Sequence, residues 1–93
     1  MNINESLIDA ICAENSDIVN SLLTQGANPN HALDRAEVKP LHFAAQTGNQ
    51  TITQLLLEHG AERDAKTNPD GQKAVDIAIL HKHEHLLPLL QTP

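Results

Sequence analysis

The sequence predicts an all-α protein in which three similar two-helix units stack side by side, and three observations support this fold class. The hydrophobic residues are almost all Leu, Ile, Val and Ala, with one Phe and no Trp or Tyr, a composition that favours helices over aromatic-rich strands. The 93 residues, 40% of them hydrophobic, suffice for one small domain over 1–93, in which folding removes roughly 60 to 65% of the surface exposed by the unfolded chain. The third observation is an internal repeat.

The repeat has an offset of 34 residues. One shift lays 7–30 over 41–64, and a second shift lays 75–90 over 41–56. A fixed period of this length is typical of stacked units, none of which can bury its apolar face without a neighbour. The matched positions include Leu7 with Leu41, Ala10 with Ala44 and Ala78, Ile18 with Ile52 and Leu86, and Gly26 with Gly60. We expect repeat 1 at about 3–33, repeat 2 at about 34–67 and repeat 3 at about 68–93.

Residue spacing in the middle unit predicts two helices. The first is short and rich in small residues, including Ala44 and Ala45, which let another helix come close. The second carries Ile52, Leu55 and Leu56 at i, i+3 and i+4, the stripe of a helix that packs on one side.

Polar and glycine-containing stretches predict where these helices end. The sequence "TGN" at 47–49 marks the bend between the two helices, and Gly60 stands at the expected end of the second. The polar stretch 64–73, with "NPDG" at its centre, indicates a turn between repeats.

The segment "KPLHFAAQTGNQTITQLLLEHGAERDAKTNPDG" at 39–71 resembles an ankyrin repeat. It has the family's Pro-Leu-His-x-Ala-Ala head, a Gly between helices, an apolar second helix followed by Gly-Ala, and an Asp-Gly hairpin tip. The resemblance implies an ankyrin-repeat solenoid of three helix-turn-helix units joined by hairpin-like loops. The family's usual spacing is about 33 residues, so we expect the additional residue of each step to lie in the hairpins.

Both outer units depart from this pattern. Unit one has Glu14, and unit three has Lys82, where unit two has Gly48. If this position needs a left-handed backbone, each non-glycine residue costs on the order of 1 kcal/mol, so we expect softer outer units. Pro88 lies in the second helix of unit three and is tolerated only in the first turn, which predicts a brief or kinked helix.

The sequence "HKHEH" at 81–85 contains three of the six histidines. In the repeat register His81 aligns with Thr47 and His85 with Thr51, so the five residues cross the bend between two helices. A zinc pair at i and i+4 on one helical face is therefore not expected. A metal-binding or pH-responsive protein built around His81, His83 and His85 is the alternative function.

Charge and composition argue against several other classes of function. Six Lys and Arg against twelve Asp and Glu give a net charge of −6, and no basic segment could follow a phosphate backbone, so we expect no nucleic-acid partner. The chain start lacks the features of a secretory signal and no apolar run could span a bilayer, so we expect no membrane partner and a reducing, cytoplasmic location. Cys12 has no base near it in the repeat register. We predict no enzyme, no cofactor and no metal.

The resemblance implies that a partner protein binds in a concave groove formed by hairpin tips and first helices. We expect one partner at a time, because a standard interface of about 800 Å² per side would use much of the groove of so short a chain. The protein would then act as a scaffold, an adaptor or an inhibitor. Leu80 beside Phe43 is either an exposed apolar anchor or half-buried core, and both interpretations stay open. Self-association through the repeat ends is a further possibility, because the last helix is rich in leucine. Carried over by position, the groove residues are Arg35, Val38, Phe43, Gln46, Thr47, Lys66, Asn68, Asp70, Gln72, Leu80 and His81.

Overall fold

A computed structural model describes residues 2–32, 37–68 and 70–91, and over these ranges the chain is helical, without strands. Two helices in each unit confirm the predicted all-α fold. None of the helices in the described ranges is long and apolar enough to cross a membrane. The elements are α1 (Ile3–Cys12), α2 (Ser16–Thr24), α3 (Pro40–Thr47), α4 (Gln50–Glu58), α5 (Ala74–Leu80), a 3-10 turn (Glu84–Leu86) and α6 (Leu87–Leu90).

The units stack through like elements. Each first helix packs on the next, α1 on α3 and α3 on α5, while α2 packs on α4 and α4 on the 3-10 turn. Ala10, Ala44 and Ala78 occupy equivalent positions in the three first helices, and all three are buried. Their small side chains allow the close approach that the repeat register predicted.

Asparagine caps explain where the second helices of the first two units begin. The Asn15 side-chain oxygen accepts from the Ile18 amide at 3.2 Å, and that of Asn49 accepts from the Ile52 amide at 3.0 Å. Such caps satisfy amides that have no partner in the first turn of a helix. Unit three has His83 at this position and no side-chain cap. Its second helix accordingly opens as a 3-10 turn.

The bend between the two helices is left-handed in every unit. The φ angles are 56° at Glu14, 79° at Gly48 and 62° at Lys82, which confirms the expected conformation. Glu14 and Lys82 therefore carry a strain that Gly48 avoids, on the order of 1 kcal/mol each.

The second helix of unit three is short, as Pro88 predicted. Pro88 is the second residue of α6, where its missing N–H leaves no helical hydrogen bond unmade. Leu86 and Leu90 are buried, whereas Leu87 and Leu89 are only half-buried. The last layer therefore turns part of its leucine content outward, as we expected.

The loop after α4 confirms the role of Gly60. This residue has a φ of 95°, its amide donates to the Leu57 carbonyl, and the Ala61 amide donates to the Leu56 carbonyl. This pair of bonds is the usual way in which a left-handed residue closes a helix. The Asn30 side chain then ties units one and two together, because it donates to the Gly60 carbonyl at 3.0 Å and accepts from the Glu62 amide at 2.8 Å.

Candidate functional site

The loop between units two and three is a hydrogen-bonded hairpin. The Thr67 amide donates to the Gln72 carbonyl at 3.0 Å, and the Gln72 amide donates to the Thr67 hydroxyl at 3.1 Å. The Gly71 amide also donates to the Thr67 carbonyl, at 2.7 Å. These bonds fix the hairpin beside the first helices of both units.

His42 supports the base of this hairpin from α3. Its Nδ1 accepts from the Lys39 amide at 2.9 Å, so the ring proton lies on Nε2, which donates to the carbonyls of Ala65 at 2.9 Å and Gln72 at 3.1 Å. Burial lowers the pKa of His42 below its ordinary 6.5; the two accepting carbonyls raise it in part, and Lys39 lowers it again. A neutral imidazole thus connects the helix to the hairpin.

A cavity of about 280 Å³ lies between this hairpin, the segment before α3, and the helices α3 and α5. We call it the groove. Its apolar part comes from Val38, Ile77 and Leu80, and 67% of the Leu80 surface is exposed. Its full lining is Val38, Gln46, Thr67, Asn68, Asp70, Gln72, Ile77, Leu80 and His81.

Seven of the eleven predicted site residues line the groove: Val38, Gln46, Asn68, Asp70, Gln72, Leu80 and His81. Sequence reasoning missed Thr67 and Ile77. The repeat register contained a signal for Ile77, because this residue is equivalent to Phe43, which was predicted. For Thr67 the signal was its position next to the "NPDG" turn.

The other predicted residues lie elsewhere. Phe43 is half-buried against the core, and the Thr47 hydroxyl donates to the Ala44 carbonyl at 3.0 Å. Lys66 is exposed outside the groove lining, and Arg35 falls outside the described residues. Of the two residues considered as an anchor, Leu80 is therefore exposed and Phe43 belongs to the edge of the core.

The histidines of 81–85 cross the bend, as the register predicted. His83 Nδ1 donates to the Ala45 carbonyl at 2.9 Å, and His85 Nε2 donates to the Gly48 carbonyl at 2.7 Å. The rings of His81 and His83 stack with their centres 6.0 Å apart. Within the described ranges, no three His, Cys, Asp or Glu side chains are grouped so as to hold a metal ion. Two of the three histidines thus join unit three to unit two.

Cys12 lies exposed near the end of α1. Partial burial of the sulfur raises the pKa of its thiol, and the nearby Asp9 carboxylate raises it further. A raised pKa disfavours the thiolate, which is the nucleophilic form. This environment is opposite to the one that activates a catalytic cysteine.

Comparison with known proteins adds a family match. A family model described as ankyrin repeats in three copies matches residues 7–92. The chain is 42% identical over 59 residues to the 2-5A-dependent ribonuclease of Homo sapiens, covering 63% of this chain and 8% of that protein. It is 39% identical over 71 residues to the RelA-associated inhibitor of Mus musculus, covering 76% of this chain and 8% of that protein.

A third relative is more nearly comparable in length. The chain is 38% identical over 72 residues to protein phosphatase 1 regulatory subunit 27 of Homo sapiens, covering 77% of this chain and 46% of the relative. In each of these three cases the chain spans less than half of the relative's length.

Proposed function

Since the chain belongs to the ankyrin-repeat family, whose repeats generally mediate protein–protein binding, we propose that it binds one partner protein through the groove, as a cytoplasmic scaffold, adaptor or inhibitor. The observation that carries this proposal is Leu80, which leaves 67% of its surface in solvent beside the apolar side chains of Val38 and Ile77. An apolar patch surrounded by polar side chains has the general layout of a protein interface, which is an apolar core with a polar rim.

The groove holds about 280 Å³, close to the lower limit of roughly 300 Å³ for ligand pockets. Membership of the ankyrin-repeat family, and not this volume, favours a partner protein over a small molecule. We expect a partner loop or helix to place one apolar side chain beside Leu80. Polar groups of the partner would then bond to Gln46 and Asp70, which are both exposed.

The groove is formed before any partner arrives. His42 and the bonds between Thr67 and Gln72 hold the hairpin in place. A preformed surface loses little conformational entropy on binding, which favours affinity for a given contact area. Binding should therefore leave the helical content of the protein unchanged.

The names of the relatives are compatible with a regulatory role, since they include an inhibitor and a regulatory subunit. The match to the ribonuclease gives no reason to expect the same activity in this chain, because the alignment covers only 8% of that relative. Cys12, the one candidate nucleophile singled out in the sequence, has a raised pKa. We therefore propose binding without catalysis.

The test is proximity cross-linking in the native lysate. A photo-reactive residue at Gln46 should capture one protein, and the same residue at Gln54 on the exposed side of α4 should not. The captured protein is then purified and titrated against the chain by calorimetry. We expect the double variant Gln46→Glu, Leu80→Arg to weaken its binding at least about tenfold, the loss expected for a central anchor.

A matched double variant controls for the chemistry of these changes. Gln54→Glu with Ile79→Arg also introduces one acid and one arginine at exposed positions, but neither residue lines the groove. It should bind like the wild type. Equal affinity of the groove variant and the wild type, with far-UV circular dichroism unchanged, would place the binding surface elsewhere.

A further inference from the structure

Several apolar positions are buried where another unit packs on them and exposed at an end of the described stack. Ile11 and Ala45 are fully buried between units, but Ile79, the same position in unit three, is 54% exposed. Val75 and Leu87 are likewise half-buried, whereas their counterparts in units one and two are buried. Val75, Ile79 and Leu87 form what we call the C-terminal face.

The opposite end of the stack shows the complementary pattern. Ile18 is 48% exposed, whereas its counterparts Ile52 and Leu86 are fully buried against the preceding unit. Leu22 is half-buried, and the two residues equivalent to it are buried. Ile18 and Leu22 form what we call the N-terminal face.

We propose that the N-terminal face of one copy of this chain packs on the C-terminal face of a second copy, head to tail. The two faces are the two halves of one junction, which the protein already forms twice between its own units. This surface is separate from the groove, so the proposal does not depend on the proposed function.

The junction between units two and three supplies the geometry. The Gly48 carbonyl accepts from His85 at 2.7 Å, and a Cβ atom on Gly48 would lie 2.8 to 2.9 Å from the His83 ring. Residue 48 therefore meets residues 83 and 85 of the next unit. Between copies, the corresponding residues are Lys82 on one side and Asn15 and Asp17 on the other.

This correspondence brings opposite charges together. Lys82 lies at the exposed bend beside the C-terminal face, and Asp17 is exposed in the first turn of α2, next to Ile18. Unit one has no Lys or Arg at all, since Arg35 is the first basic residue of the sequence. Head-to-tail contact places Lys82 beside a unit with acidic but no Lys or Arg side chains, whereas contact between two N-terminal faces would place acidic side chains together. The charges therefore favour head-to-tail contact.

Each copy in such a contact keeps one free face. Heterologous contacts of this kind are open-ended unless the rotation closes a ring. We expect the mean mass to increase steadily with concentration up to about 1 mM in sedimentation experiments. A wild-type chain that stays monomeric over this whole series would overturn the proposal.

Two blocked variants give the decisive test. Ile18→Arg blocks only the N-terminal face and Ile79→Arg only the C-terminal face, so each variant alone should associate at least about tenfold more weakly. Mixed in equal amounts, the two variants retain one intact pair of faces and should form a one-to-one dimer that grows no further. A mixture that stays monomeric, or a single variant that associates like the wild type, would contradict head-to-tail packing.

Charge reversal tests the orientation. Lys82→Glu should weaken association, and the double variant Lys82→Glu, Asp17→Lys should restore it, because the pair is then re-formed with opposite signs. If the double variant associates as weakly as Lys82→Glu alone, residues 82 and 17 are not in contact. Leu80→Arg is the control, since this exposed leucine lies in the groove and on neither end face, and it should leave association unchanged. Far-UV circular dichroism checks that every variant is folded.

Discussion

Gly48 shows how two constraints can coincide on one residue. Its φ of 79° lies in the left-handed region, and its α-carbon faces the His83 ring, which a Cβ atom would approach to within 2.8 Å. Gly60 has a φ of 95° but no neighbour within 4 Å of such an atom. A substitution at Gly60 therefore introduces backbone strain alone, whereas a substitution at Gly48 introduces backbone strain and also disturbs the contact with His83.

We expect Gly48→Ala to destabilise the protein more than Gly60→Ala. Each substitution costs about 1 to 2 kcal/mol for the left-handed backbone, and Gly48→Ala must also displace His83 from the Ala45 carbonyl, adding about 1 kcal/mol. Urea unfolding followed by circular dichroism measures both. Equal losses for the two variants would show that the His83 contact contributes nothing to stability.

His42 makes stability depend on pH near neutrality. Its pKa is lowered in the folded state, chiefly by burial, so the unfolded chain binds a proton on this residue at a higher pH than the folded protein does. The stabilisation is complete above the unfolded pKa of about 6.5 and is lost as the pH falls through the lower folded pKa. The free energy of unfolding should therefore decrease from about pH 7.5 to about pH 5.5, as measured by urea titration. The variant His42→Gln should be less stable than the wild type at pH 7.5, and its free energy of unfolding should decrease less between the two pH values. An equally steep decrease in this variant would show that other groups cause the pH dependence.

At the scale of elements, we expect unit three to open more readily than unit two. Its second helix consists of a 3-10 turn and the four residues of α6, it begins without a side-chain cap, and it follows the strained Lys82. By contrast, α4 has nine residues, an asparagine cap and a unit on each side. Contact with only one neighbour leaves unit three less protected against local opening.

Amide hydrogen exchange should resolve this difference. We expect the amides of Leu90 and Gln91 to exchange with an opening free energy at least about 1 kcal/mol below that of the α4 amides, from the backbone strain alone. Lys82→Gly should reduce this difference in opening free energy, because it removes the backbone strain. Uniform protection across both helices would show that the stack unfolds as a single cooperative unit.

The same elements show how far the sequence determines the structure. The repeat register predicted the bend at 81–85, because equivalent positions in a solenoid have equivalent neighbours. Gly60 itself predicted the end of α4, and the ankyrin resemblance implied seven of the residues that line the groove. The sequence left open whether Leu80 and Phe43 form an exposed anchor or half-buried core. In the structure, Leu80 is exposed like its equivalent Gln46, and Phe43 is half-buried like its equivalent Ile77. The 3-10 turn was also not predicted, since it results from a missing cap and not from any apolar pattern.

At the scale of the whole molecule, charge is distributed unevenly along the stack. The net charge is −6, and Glu5, Asp9, Glu14 and Asp17 give unit one four acids and no basic residue. Over residues 2–32, 37–68 and 70–91 the shortest ion pair is Lys73 with Asp64 at 3.6 Å, and both side chains are partly exposed. Such a pair contributes little to stability. Repulsion within the acidic end is therefore largely uncompensated.

Added salt should consequently stabilise the protein. Screening shortens the range of charge interactions from about 30 Å at 0.01 M to about 8 Å at 0.15 M, so the melting temperature should rise by about 2 to 5 °C over this interval, which corresponds to somewhat less than about 1 kcal/mol. Thermal melts must be recorded at low protein concentration, to exclude self-association. Asp9→Asn should raise the melting temperature at low salt and reduce its further increase when salt is added, because Glu5 and Asp9 are like charges four residues apart on α1. A melting temperature that is constant or falls with salt would mean that the acidic end is already compensated by contacts within the fold.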